Sequence, residues 1–216
     1  MATSSGTVKK TALSDFSRPM KRGIIAVGLK PDDFLVGVAL TDGQKDVMLF
    51  SDSGKAVRFD ENDVRPMGRG AAGVRGMNLE EGQKVISMLV AKAEVEGEQT
   101  DQTVLTATEN GFGKRTLITE YTRHGRGTKG MIAIQTSERN GKVVAATIVT
   151  DSDEIMLVTT GGVLIRTSVK DIRVMGRATQ GVTLINLDDG TQLASLQRIV
   201  ENDEVEDTGE ETSSDA

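Results

Sequence analysis

A glycine returns in a polar turn at positions 6, 54, 111 and 162, at spacings of 48, 57 and 51 residues. The turns read Thr3-Ser-Ser-Gly6-Thr-Val-Lys-Lys10, Ser51-Asp-Ser-Gly54-Lys-Ala-Val-Arg58, Thr108-Glu-Asn-Gly111-Phe-Gly-Lys-Arg115 and Thr159-Thr-Gly-Gly162-Val-Leu-Ile-Arg166. Nineteen residues after the last three turns stands a second glycine, at 73, 130 and 181. It is preceded by Gly68-Arg69, Gly125-Arg126 and Gly176-Arg177, with Arg65, Arg123 and Arg173 just upstream. The first unit is irregular, with Arg18-Pro-Met-Lys-Arg-Gly23 in that place. Self-similarity at a period of this size signals a repeat architecture, in which each unit buries its apolar face only against its neighbours.

The units are made of short β-rich runs: Val47–Phe50, Lys55–Phe59, Val85–Val90, Val104–Thr108, Thr116–Thr119, Met131–Ile134, Val143–Val149, Ile155–Thr159 and Val163–Thr167. Turn dipeptides such as Asp42-Gly43, Asn110-Gly111 and Asn140-Gly141 separate them, which is the hairpin signal. No stretch carries an apolar stripe of helical period. The expected fold is all-β, a propeller-like ring of four-stranded blades, with about four blades in units near 1–46, 47–103, 104–154 and 155–199. The glycines at 6, 54, 111 and 162 are read as tight turns.

Composition narrows the function. The chain has no Cys, one His (His124), no Trp and one Tyr. This excludes a disulfide framework, a Cys-based zinc site and a thiol nucleophile, and it disfavours a Ser-His-Asp triad. It also disfavours a reader that stacks bases on aromatic side chains. No apolar run approaches the ~18–20 residues that span a bilayer, and the N-terminal residues do not read as a signal peptide. The expectation is a cytoplasmic protein.

The net charge of −6 conceals a division. Residues 200–216 hold Glu201, Asp203, Glu204, Glu206, Asp207, Glu210, Glu211 and Asp215 with no Lys or Arg, so 24 acids face all 26 bases in the rest of the chain. This tail has too little apolar surface to offset the entropy of ordering and is expected to be disordered. A second acidic stretch, Glu94 to Asp101, reads as an exposed loop. In the body, a base stands four residues after each turn glycine: Lys10, Arg58, Arg115 and Arg166. Symmetry stacks such bases on one rim, the arrangement that a polyanion following a curved edge would require.

Several segments then resemble a known family. Lys114–Thr122, Arg126-Gly-Thr-Lys-Gly-Met-Ile132, Thr136–Gly141, Val174-Met-Gly-Arg-Ala-Thr-Gln-Gly-Val182, Val47–Ser51 and Pro66–Arg69 resemble the C-terminal domain of bacterial DNA gyrase A. The match covers residue 1 to about residue 200, and an acidic tail is typical of that family. The resemblance implies a β-pinwheel, a ring whose blades exchange strands, usually with six blades. The four units here would correspond to its C-terminal two-thirds. The family's first-blade heptapeptide Gln-Arg-Arg-Gly-Gly-Lys-Gly is absent, and Arg123-His-Gly-Arg-Gly-Thr-Lys-Gly130 is only a degenerate echo.

The implied function is sequence-independent binding and wrapping of double-stranded DNA, in support of negative supercoiling. The implied partners are DNA, the remainder of gyrase A and its companion gyrase B in an A2B2 enzyme, with no membrane and a nucleoid-associated location. This chain is expected to need no cofactor and no metal, since ATP and Mg belong to other parts of the parent enzyme, an ATP-dependent type II DNA topoisomerase. It is expected to catalyse nothing alone; Tyr121 is read as a packing residue. The candidate DNA-facing residues are Lys9, Lys10, Arg18, Lys21, Arg22, Arg58, Arg65, Arg69, Arg75, Lys114, Arg115, Arg123, Arg126, Lys129, Arg166, Arg173 and Arg177, about half of them facing DNA. His124 is read as a surface loop residue, and Met67 and Met175 as core plugs. The alternatives are the matching C-terminal domain of the related topoisomerase IV, a propeller used as a protein-interaction module and, least favoured, a propeller enzyme.

Overall fold

The computed structural model describes residues 1–92 and 100–200. Both the acidic tail from Glu201 onward and Glu94, Glu96 and Glu98 of the acidic loop lie outside the described residues. Fifteen strands form among the described residues: β1 Ala2–Thr3, β2 Thr7–Val8, β3 Leu35–Gly37, β4 Lys45–Ser51, β5 Lys55–Asp60, β6 Val74–Arg75, β7 Val85–Lys92, β8 Thr103–Thr108, β9 Phe112–Leu117, β10 Met131–Ile132, β11 Val143–Val149, β12 Glu154–Thr159, β13 Leu164–Ser168, β14 Val182–Thr183 and β15 Leu193–Ile199.

They build four antiparallel sheets, ordered β3-β1-β2-β6, β10-β5-β4-β7, β11-β8-β9-β14 and β13-β12-β15. The inner strands β3, β7, β11 and β15 pack successively against one another, which sets the sheets as blades around an axis. The short strand after each rim loop leaves its own unit. β6 pairs with β2 of the first blade, β10 with β5 of the second, and β14 with β9 of the third. The blades thus exchange strands, as the resemblance implies.

The hairpin turns explain the spacing of the glycines. Gly54 has φ 80°, and a Cβ there would run into the Ile134 carbonyl oxygen. That carbonyl belongs to the segment donated by the next unit, and the Gly54 carbonyl accepts from Ala133 N (2.8 Å) and Ile134 N (3.2 Å). One glycine therefore supplies a left-handed turn and the room for a neighbour's backbone.

Strands β5, β9 and β13 run directly into 3-10 turns at Glu61–Asp63, Ile118–Glu120 and Val169–Asp171, and β2 is followed four residues later by one at Leu13–Phe16. This corrects the strand expected over Thr116–Thr119: β9 stops at Leu117, and Tyr121 caps a turn. An apolar core fills each of the three blade-to-blade junctions. Leu49, Val57 and Phe59 belong to the first, Met48, Phe50, Ile118 and Tyr121 to the second, and Leu105, Ile155, Leu157 and Ile172 to the third. Tyr121 is 1 % exposed and stands edge-on to Phe50, with centroids 5.8 Å apart, so it is a packing residue. Burial raises its pKa.

Candidate nucleic-acid interface

The chain between each 3-10 turn and the donated strand runs as a loop outside the preceding blade. Backbone bonds fix it. Met67 N donates to Lys10 O (2.8 Å), His124 N to Arg58 O (2.8 Å) and Met175 N to Arg115 O (2.7 Å). The loops are also tied to one another. Arg126 Nη1 donates to Arg75 O (3.0 Å), Arg177 Nη1 to Ile132 O (2.8 Å) and Arg69 Nη1 to Ile25 O (3.1 Å). In each pair, the arginine after Gly68, Gly125 or Gly176 grips the previous unit two residues past its closing glycine. Successive rim loops therefore form one continuous band around the outside of the blades.

The band divides the candidate bases. Arg58 and Arg115 are 2 % and 4 % exposed and cannot reach a phosphate. Arg58 donates to Asp46 (2.8 Å) and to the carbonyls of Ile118 (3.0 Å) and Tyr121 (3.1 Å) of the next blade. Arg115 donates to Ile172 O (2.7 Å) and pairs with Asp151. Lys10, half-buried, reaches Glu61 O (3.1 Å) in the same way. The base four residues after the turn thus ties its blade to the next blade's 3-10 turn. In the last blade, Arg166 is exposed and pairs with Glu154.

Lys9 and Lys114 are also buried. Lys114 Nζ donates to the carbonyls of Gly176 and Arg177 (both 2.6 Å), and Lys9 Nζ to those of Arg69 and Ala26. They pin the rim loops from beneath. Burial lowers the Lys114 pKa to about 8; Glu120 opposes this, while Arg177 adds to it. Burial, then Arg69, lowers that of Lys9. Lys9, Arg58, Lys114 and Arg115 are corrections to the expected rim: a repeated base in an outer strand serves the blade junction because the neighbour's carbonyls stand over it.

The other candidates lie outside. Arg18, Lys21, Arg22, Arg65, Arg75, Arg123, Arg126, Lys129 and Arg173 are exposed, and Arg69 and Arg177 are half-buried. Among the described residues, two of these have acidic partners: Arg123 bridges Asp46 and Asp60, and Lys129 lies 3.2 Å from Glu80. His124 is an exposed loop residue. Met67 packs against the first junction and Met175 is half-buried.

Two features were missed from sequence. Asp46, fully buried, anchors both Arg58 and Arg123, and no repeat marked it. Lys170, exposed three residues before Arg173, has non-basic counterparts in the other units. The rim glycines carry a further signal. A Cβ at Gly68, Gly70 or Gly125 would meet nothing within 4 Å, and none has the positive φ that demands glycine. Their lack of a side chain serves neither turn nor packing and leaves bare backbone on the outer surface.

Known proteins agree with this architecture. The family model for the DNA gyrase C-terminal domain, beta-propeller, matches residues 1–42, 45–92, 102–150 and 153–199. DNA gyrase A of Salmonella typhimurium is 51 % identical over 201 residues, covering 93 % of this chain. This chain spans only 22 % of the length of that protein. A solved DNA gyrase A C-terminal domain superposes with a TM-score of 0.78 at 29 % identity, covering 92 % of this chain and 64 % of that one. The C-terminal domain of a DNA topoisomerase IV gives 0.83 at 30 %, covering 92 % and 60 %. Strand-exchanged blades, a banded outer rim and a match over nearly all the described residues make the chain a member of the DNA gyrase C-terminal domain family.

Proposed function

We propose that the band of rim loops holds double-stranded DNA by its phosphates and bends it around the blades. The observation that carries this reading is the recurrence of exposed and half-buried arginines on glycine-punctuated loops that tie to one another, with open backbone at Gly68, Gly70 and Gly125. Arg65, Arg69 and Arg75 are followed by Arg123, Arg126 and Lys129, and then by Arg173 and Arg177. Guanidinium and ammonium groups on a convex edge neutralise phosphates without reading sequence. Bare peptide groups let the backbone approach closely. Bending 20–30 base pairs costs ~1–6 kcal/mol, which the phosphate contacts along the arc must offset. No cofactor or metal enters this step.

In a parent enzyme built like the gyrase relatives, the wrapped duplex would be presented to a DNA gate in the rest of gyrase A. The partners would be that remainder and gyrase B, and ATP would be spent outside this chain. The likeness to a topoisomerase IV domain supports a second reading, duplex binding with little wrapping.

One experiment addresses both readings. Nicked circular DNA is ligated with the chain bound across a salt series, and affinity is measured in parallel. Phosphate contacts give a log–log salt slope of about −0.9 per contact and equal affinity for unrelated sequences. Salt-independent binding, or none at low salt, sinks the proposal. A positive linking-number change supports wrapping, and binding without it selects the second reading.

A further inference from the structure

A carboxylate stands nine residues after every turn glycine, at Asp15, Asp63, Glu120 and Asp171. The last three end the 3-10 turns that lead into the rim loops, and all three are exposed. Each is followed by a buried residue in extended backbone: Val64 (φ −103°, ψ 109°), Tyr121 (φ −91°, ψ 90°) and Ile172 (φ −91°, ψ 125°). Side chains alternate along extended chain, so an inward Val64 or Ile172 turns both of its neighbours outward. Asp63 thus shares the outer face with Arg65, and Asp171 with Arg173. Glu120 has local work, since its Oε2 accepts from Arg177 N (3.1 Å) of the next rim loop. The carboxylates of Asp63 and Asp171 make no hydrogen bond or ion pair among the described residues. They are not needed to close their turns, where Val64 N donates to Glu61 O (3.1 Å) and Ile172 N to Val169 O (3.0 Å).

The register gives the band two unlike edges. β5 runs from its hairpin turn at Lys55 to Asp60, and the rim loop from the next unit runs back along it. His124 N reaches Arg58 O (2.8 Å), and the loop then enters β10, where Met131 faces Ala56 and Ile132 faces Lys55. The other loops repeat this course. Met67 N bonds Lys10 O before Val74 faces Val8, and Met175 N bonds Arg115 O before Val182 faces Gly113. The acids therefore line the end of the blades away from the hairpin turns. Arg65 and Arg173 come next, then Arg69 and Arg177, and the closing glycines lie at the hairpin end.

We propose that Asp63 and Asp171 are positioning residues that bound the DNA track on one side; this rests on the reading of the band as a duplex-binding surface. A duplex is held by phosphate contacts that carry no sequence information, so contacts alone leave it free to settle at many heights on the band. Like charges placed side by side reject the wrong placements. A duplex that strays to the 3-10 end brings its phosphates against Asp63 and Asp171. One that stays towards the hairpin end meets Arg69, Arg177 and the open backbone at Gly68 and Gly70. The carboxylates thereby lower affinity and fix the lane in which the duplex bends.

Three double variants of the full chain test this against one duplex across a salt series. Asp63→Asn with Asp171→Asn removes the margin, and Asp63→Lys with Asp171→Lys reverses it. Glu138→Gln with Asp189→Asn removes two exposed charges from the loops that lead into β11 and β15, off the rim. At low salt the margin pair should tighten binding about twofold per carboxylate, about fourfold in all, and the control pair by clearly less. The lysine pair should steepen the log–log salt slope by about 0.9 for each phosphate it gains, which a change of net charge far from DNA does not do. Thermal unfolding should match the native chain, since neither carboxylate has a partner to lose. Equal tightening by margin and control pairs overturns the proposal, as does an unchanged slope in the lysine pair. A lowered melting temperature in the asparagine pair would make the carboxylates structural and overturn it too. In these cases salt-sensitive binding by the native chain leaves the DNA reading standing; its absence removes both.

Discussion

At the scale of single residues, the same side-chain type does opposite work according to the strand position that carries it. Arg58 and Arg126 are both repeated arginines in glycine-punctuated segments. Arg58 is sealed among a carboxylate and two carbonyls, whereas Arg126 holds carbonyls at the surface with part of its fork outward. Lys114 is the buried case that a pH series can test. Its pKa falls to about 8 when folded, against about 10.4 for an unperturbed lysine. Between those values the unfolded chain binds more protons at this position than the folded one, so its contribution to stability rises with pH. Comparing unfolding free energies of the native chain and Lys114→Met, the difference should shift in favour of the native chain from pH about 8 to about 10.4. The slope is at most about 1.4 kcal/mol per pH unit, and it is flat on either side. A flat or falling difference inside the window would show that Lys114 keeps its proton in the folded state.

At the scale of elements, the rim loop is the unit that links fold to function. Its glycines separate into two kinds. Gly73 has φ 112°, and a Cβ there would stand 2.5 Å from Val8 O, where the donated strand passes the preceding blade. Gly125 has neither constraint. Thermal unfolding of Gly73→Ala should show a clear loss of stability, since strain and a backbone clash act together. Gly125→Ala should unfold within about 1 kcal/mol of the native chain but bind duplex DNA more weakly. Equal DNA affinity for Gly125→Ala and the native chain would remove the bare backbone from the interface.

The loop also marks where sequence reading stops. The period, the hairpins and the rim arginines were legible because turn glycines and alternating apolar residues are local signals. Strand donation by two-residue strands such as Val74–Arg75 was available only through the family resemblance, because such strands are too short for any periodicity. The burial of Lys9, Arg58, Lys114 and Arg115 was not legible either. Each is sealed by carbonyls of another unit some 60 residues away, as in the Arg58–Ile118 bond, and a carbonyl has no letter in the sequence.

At the scale of the whole molecule, charge is distributed against the net figure. The body carries 26 bases against 24 acids, and residues 200–216 carry eight acids and no base. Two rim cations already face acids among the described residues, Arg123 with Asp46 and Asp60 and Lys129 with Glu80, so the field along the band results from near-balanced opposing charges. We propose that the eight tethered carboxylates, a local polyanion at high effective concentration, compete with DNA phosphates for the guanidinium groups of the band. Removing residues 200–216 should tighten duplex binding at low salt. The gain should shrink as ionic strength rises and the Debye length falls towards the spacing of the charges, about 8 Å at 0.15 M. Titrating both chains against one duplex across the salt series measures this directly. Converging curves fit a competing tail. Parallel curves place its effect outside electrostatics, and identical affinities at every salt concentration mean that the tail and the rim do not meet.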